Sequence, residues 1–156
     1  MDNDSIEKYV KKYRPMVYRL AYSMVRRCED AEDISQDVFV RLCRFRGEFD
    51  SEEGARAWLC RVAINLAKDM LKSANRRCTA ELTEDIPAKT AEDTGLLEAI
   101  QRLSPEDTAV LYLFYYEGYS VKDIARIRRS TSAAIRTRLS RARERLRKML
   151  TEEDYI

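Results

Sequence analysis

Residues Tyr119–Leu150 read YSVKDIARIRRSTSAAIRTRLSRARERLRKML, and this stretch decides the fold of the second half of the chain. From Asp123 to Leu150 it carries ten bases against two acids, a net of +8. The whole chain has a formal net charge of +2, so the remainder sums to −6. A strongly basic end on an acidic body points to a polyanionic partner, because each neutralised phosphate releases condensed counterions. The order of the residues sharpens that reading. Ser120 offers an N-cap for the segment 121–127, with Asp123 at the capping-box position. Ser130 or Thr131 offers a second cap, for a longer segment reaching Leu150. Ile124, Ala125 and Ile127 supply one apolar face. Ile135, Leu139, Ala142, Leu146 and Leu150 supply another, at spacings of four, three, four and four. Two helices with a short polar turn between them read as a helix-turn-helix. Arg136, Thr137, Ser140 and Arg141 then lie on the outer face early in the second helix, where a recognition helix presents side chains to base edges. Arginine can pair bidentately with guanine, and the hydroxyls can bond bases or phosphates. Arg143, Arg145, Arg147 and Lys148 follow, placed to meet phosphates or solvent.

Upstream, Ser104-Pro105-Glu106-Asp107 combines an N-cap, proline at the first helical position and an acidic first turn, a strong helix start. The apolar run 110–116 follows it, and Gly118 suits a helix C′ position where positive φ is needed. Leu96 to Ile100 opens this second core. Before it, 73–94 holds Pro87, scattered Thr and Ala and five acids without periodicity, which reads as a flexible acidic linker.

The first half is helical too. Met16, Val17, Leu20, Ala21, Met24 and Val25 have helical spacing behind Pro15, with Tyr9, Val10 and Tyr13 suggesting a short preceding helix or turn. Asp30 can cap a helix over 31–45 that buries Ile34, Val38, Leu42 and Phe45. Gly47 and Asp50 mark a loop. A long helix over 53–74 is expected to bury Trp58, Leu59, Val62, Leu66 and Met70, with Ala63 a further candidate and Arg61, Asn65, Lys68 and Lys72 as a polar stripe opposite. That stripe, preceded by Arg56, suits a second nucleic-acid contact. Around Asp33, Gln36 and Asp37 the helix start is crowded with acids beyond what the macrodipole rewards, which suits a protein partner with a basic face.

Composition limits the remaining options. The chain has 156 residues, 36% of them charged and 45% hydrophobic, enough for two small helical cores. No run approaches the ~20 apolar residues of a membrane span, and the acidic start is not that of a signal peptide, so a cytoplasmic protein is expected. Cys28, Cys43, Cys60 and Cys78 form no paired motif and read as buried reduced thiols. There is no histidine, which removes the commonest general base, and no phosphate-binding glycine pattern. No enzyme activity, metal or cofactor is expected. The fold class is all-α: a helical module over 1–77, a flexible acidic linker over 78–95, and a second module over 96–151 ending in the helix-turn-helix.

Several stretches together carry a family resemblance. They are DAEDISQDVF at 30–39, Phe45-Arg46-Gly47, WLCRVAIN at 58–65, Leu103-Ser104-Pro105-Glu106, YEGYS at 116–120 and RTRLSRAR at 136–143. In this order and spacing the chain resembles the extracytoplasmic-function sigma factors, the smallest sigma subunits of bacterial RNA polymerase. The resemblance implies that Asp33, Gln36 and Asp37 dock on the β′ coiled coil of the core. It implies that the loop from Phe45 to Arg56, with Arg46, captures an unstacked base of the −10 element, and that Arg61, Asn65 and Lys68 border that element. Arg136, Thr137, Ser140 and Arg141 would read the −35 element, the second module would also touch the β flap, and an anti-sigma factor would be a further partner. The sequence departs from the family at Arg129 and Ser130, where a glycine and an aliphatic residue are usual, and at Ala133, where a small flexible residue is usual. Two other functions fit parts of the pattern: a stand-alone helix-turn-helix regulator, and a sigma-like polymerase-binding protein that does not initiate.

Overall fold

The computed structural model describes residues 2–77, 99, 100 and 102–154, and the linker expected over 78–95 lies outside them. The chain divides into two compact units. Among the described residues there are six helices, three in each unit, so the class is all-α.

The first unit packs α1 (Asn3–Val25), α2 (Cys28–Arg44) and α3 (Glu52–Arg77) against one another. Asp2 caps α1 by accepting the Ser5 N–H at 2.8 Å. The helix then runs unbroken through Pro15, where a separate N-terminal segment was expected. Proline removes one backbone donor there, and exposure of Pro15 leaves the orphaned carbonyl to water. The buried stripe Met16, Val17, Leu20, Ala21, Met24 and Val25 is the expected one.

Arg26 ends α1 in the left-handed region, at φ 61° and ψ 23°. The link to α2 is therefore only Arg26 and Arg27, and α2 begins at Cys28 rather than behind an Asp30 cap. Asp30 lies in the first turn, 3.8 Å from Arg27, where its charge favours the helix N-terminus. Ile34, Val38 and Leu42 are buried as expected, joined by Ala31, Ser35 and Phe39. Cys43, one position past Leu42, turns outward and is exposed. Cys28 is half-buried, and Cys60 is buried 3.6 Å from the Met16 sulfur. The expectation of buried thiols thus holds for Cys60 and fails for Cys43.

In α3 Leu59 and Ala63 are buried as expected, joined by Ala55, Ala57, Cys60, Ile64 and Ala67, while the expected Trp58, Val62, Leu66 and Met70 are half-buried. The alanines at 55, 57, 63 and 67 bring the α3 backbone close to its neighbours, with Leu59 and Ile64 as the large side chains of the packed side. Ser51 Oγ accepts the Gly54 N–H at 3.0 Å at the start of this helix, and Lys12 reaches across from α1 to Glu52 at 2.7 Å. This hydrogen bond raises the pKa of the Lys12 ammonium and lowers that of the Glu52 carboxyl.

The second unit is built from α4 (Pro105–Tyr115), α5 (Val121–Arg128) and α6 (Ser132–Asp154) around Val110, Leu113, Ile124, Ile127, Ile135 and Leu139. Of the segment expected to open this core, Ala99 and Ile100 are described, and Ala99 is buried. Ser104 caps α4 through the Asp107 N–H at 3.1 Å, with Pro105 in the first turn. Ser120 and Asp123 form the complete capping box on α5. Thr131 rather than Ser130 caps α6, accepting the Ala134 N–H at 3.0 Å. Gly118 holds φ 70°, one residue later than the C′ place the sequence suggested.

The α5–α6 turn is a Schellman arrangement. The Arg129 N–H bonds the Arg126 carbonyl at 3.2 Å, and the Ser130 N–H bonds the Ala125 carbonyl at 2.8 Å. Arg129 sits at φ 52° and ψ 49°, so the turn keeps its left-handed residue without glycine. A non-glycine residue there carries a penalty of roughly 1–2 kcal/mol. Glycine would give back part of that through unfolded-chain entropy. Arg129→Gly is therefore expected to stabilise this unit by about 0.5–1 kcal/mol, read as a raised midpoint in thermal or denaturant unfolding.

Candidate nucleic-acid interface

Ile135, Leu139 and Ala142 fix one side of α6 in the core, which turns Arg136, Thr137, Ser140 and Arg141 outward. All four are exposed. Arg136 and Arg141 make no ion pair or hydrogen bond among the described residues, so their guanidinium groups are free for an incoming acceptor.

Most other arginines of the basic end are tied down. Arg128 makes a bidentate bridge to Glu106, Nε to Oε2 at 2.6 Å and Nη2 to Oε1 at 2.8 Å, joining α5 to the first turn of α4. Arg138 and Arg145, two helical turns apart on α6, both donate to Asp107, at 2.7 and 3.3 Å. Arg143 donates to the Tyr115 hydroxyl at 2.9 Å. Arg147 bridges Glu144 at 2.6 Å on the exposed helix surface; this hydrogen bond lowers the Glu144 carboxyl and raises the guanidinium. Arg143, Arg145 and Arg147, expected to meet phosphates or solvent, stay exposed and each also makes one of these intramolecular contacts. Glu106 and Asp107 were legible as helix-start acids. Their second role depends on which side of α4 meets α5 and α6, which spacing alone does not reveal.

In the first unit Asn65 and Lys72 are exposed and Arg61 and Lys68 half-buried. Trp58 is seven residues before Asn65, two turns away, so it shares their side of α3 rather than opposing it. Its ring is 5.4 Å from Phe45 and 5.8 Å from Phe49. Phe45 and Phe49 stack at 4.6 Å with planes 5° apart, and Tyr9 meets the Phe49 edge at 6.1 Å. Phe45 is accordingly half-buried in a loop cluster rather than sunk in the α2 core. Gly47 belongs to this cluster by close approach: a Cβ there would stand 3.1 Å from the Phe45 ring. Arg46 is exposed in the same loop and Arg56 half-buried on α3. An aromatic stack beside a basic stripe suits an unpaired base, whose π-face stacks on side-chain rings while cations follow the backbone.

On α2, Asp33 and Gln36 are exposed and Asp37 is half-buried, 3.4 Å from Arg41. Val40, exposed at 45%, continues the same face. An apolar residue beside exposed acids differs from a merely solvated surface. No group of residues able to hold a metal ion occurs among the described residues, and none of their helices is long and apolar enough to cross a membrane.

Two helical units, one ending in a basic helix and one with an aromatic and basic face, correspond to two regions of a sigma-type protein. The Sigma-70 region 2 family matches residues 9–77 and Sigma-70 region 4 matches 94–146. The ECF RNA polymerase sigma factor SigM of Mycobacterium tuberculosis is 30% identical over 96% of this chain and 79% of its own length. RNA polymerase sigma factor CarQ of Myxococcus xanthus is 31% identical over 96% and 91%. The chain belongs to the extracytoplasmic-function family of RNA polymerase sigma factors, non-catalytic proteins that direct transcription initiation. Among solved structures, the sigma factor RpoE in complex with the anti-sigma factor NepR from Bartonella quintana shares the fold, with a TM-score of 0.74 and 23% identity over 94% of this chain and 97% of that one. CnrH in complex with the cytosolic domain of CnrY has a TM-score of 0.75 at 22% identity, over 97% and 90%.

Proposed function

We infer that this sigma factor divides promoter recognition between its two units and docks on core polymerase through α2. The observation that carries the reading is the selective freedom of Arg136 and Arg141: most arginines around them are paired, while these two stand exposed beside Thr137 and Ser140. Such a set reads the −35 element in the major groove. The stacked Phe45, Phe49 and Trp58, with Arg46, Arg56, Arg61, Asn65 and Lys68, form the −10 surface, where an extruded base finds aromatic and polar partners. Asp33, Gln36 and Asp37 take the β′ coiled coil, with Val40 as the apolar centre of the contact. The exposed Tyr115 and Tyr116 end α4 with an aromatic surface fit for the β flap. An anti-sigma partner, as NepR is in the RpoE complex, would act by covering the α2 and α4 faces that core requires. The protein works in the cytoplasm, where core polymerase is.

The division of labour has a direct test. Asp33→Lys with Asp37→Lys is expected to weaken core binding by roughly tenfold or more, since reversed charges meet a basic partner face. Binding of the −35 duplex by the same variant stays unchanged. Equal core affinity in the variant would remove α2 from the interface.

A further inference from the structure

We propose that Asp107 is a specificity-determining positioning residue, which withholds two arginines of the recognition helix from the DNA backbone. This rests on the reading of α6 as the −35 reader. Asp107 is 5% exposed, and its backbone N–H is already engaged by the Ser104 cap. Its carboxylate faces α6 and accepts from Arg138 at 2.7 Å and Arg145 at 3.3 Å. Those arginines are not buried with it: their side chains are 43% and 62% exposed. The carboxylate thus holds solvent-facing cations by one nitrogen each. It borders a cleft of about 540 Å³ that is also lined by Thr137 and Arg141, two of the four proposed readers. Arg138 and Arg145 are therefore neighbours of the reading face, within side-chain reach of the same duplex.

Phosphate contacts add affinity to any sequence, while base contacts discriminate. A recognition helix whose every arginine was free would bind all duplexes more tightly and gain little at its own site. Asp107 reduces that sequence-independent part by pairing two cations and leaves Arg136 and Arg141 unpaired. The result is a helix that favours base-directed contacts over backbone attraction.

The test uses holoenzyme assembled from purified core and the full chain, with a promoter duplex and a scrambled duplex of equal length, over a range of salt. Asp107→Asn keeps the size of the side chain and removes its charge. It is expected to steepen the dependence of log affinity on log salt by about one to two, since one or two more phosphates are neutralised. Scrambled duplex should bind on the order of tenfold tighter near 0.1 M salt, with the promoter-to-scrambled ratio falling correspondingly. A structural role alone would weaken both duplexes and leave the slope alone or flatten it, and that outcome overturns the proposal. Arg145→Gln keeps the shorter Arg138 bridge and guards against poor folding of the first variant. It should leave the wild-type slope unchanged; a slope shallower by about one would mean that Arg145 already meets phosphate, which also overturns it. The −35 reading itself is tested separately in the same assay. If Arg136→Ala with Arg141→Ala leaves promoter affinity intact, that reading fails; if affinity collapses while Asp107→Asn shows no steeper slope, only the Asp107 proposal fails.

Discussion

Holoenzyme carrying Arg136→Ala together with Arg141→Ala is expected to lose on the order of a thousandfold in affinity for its promoter relative to wild type. A good bidentate arginine–base contact is worth about 1–3 kcal/mol. Two of them near the middle of that range give about 4 kcal/mol, or three powers of ten. Neither arginine has an intramolecular partner among the described residues, so removing both leaves no buried group unpaired and no helix contact broken. Far-ultraviolet circular dichroism and core affinity should therefore match wild type while promoter affinity collapses. A loss of similar size on scrambled DNA would assign the two arginines to the backbone rather than to bases.

The second large effect concerns stability. Glu106→Ala removes both acceptors from Arg128, whose side chain is 13% exposed against 18% for Glu106. Breaking a well-buried pair costs about 3–5 kcal/mol, because the remaining charge stays desolvated. Partial solvent access here lowers that to roughly 2–3 kcal/mol. The bridge joins α4 to α5, so the cost falls on the helix-turn-helix unit. Its unfolding midpoint should drop sharply in denaturant, with the first unit unaffected. Glu106→Gln, which keeps one acceptor oxygen for Arg128, should lose less. A change below about 0.5 kcal/mol in the alanine variant would show the bridge to be a surface ornament.

Much of this structure is readable before folding. Caps and periodicity carry the second unit almost completely: Ser104-Pro105, the Ser120–Asp123 box and the 135, 139, 142 stripe all appear where local chemistry places them. Each depends on neighbours three or four residues away, and such signals survive without knowledge of the tertiary fold. The first unit is less transparent. Pro15 reads as a helix start because proline suits a first turn, yet an exposed position lets water satisfy the freed carbonyl and the helix continues. Trp58, Val62 and Leu66 look like core because they are large. In α3 Leu59 and Ile64 fill the core together with the alanines at 55, 57, 63 and 67, and Trp58, Val62 and Leu66 stand at its margin.

The candidate site divides the same way. The outward set on α6 follows from its apolar stripe and needs no partner to define it. Pairing of Arg128, Arg138 and Arg145 with two acids over 20 residues upstream is long-range and invisible to spacing. Charge count alone therefore overstates the unpaired cations. Arg26 in its left-handed turn carries no sequence signal, because glycine is the residue that announces such a conformation, and Arg129 is marked only by the glycine usual at that place in the family.

In the proposed reading α6 contacts bases of the −35 element through its free arginines. Run-off transcription from templates randomised across that element, with sequencing of the transcribed pool, puts this to the test. Wild-type holoenzyme should enrich defined bases at the −35 positions, and Arg136→Ala should erase the preference at one or two of them while the preferences at the other −35 positions persist. An Arg136→Ala, Arg141→Ala enzyme that still selects the same −35 bases would contradict it.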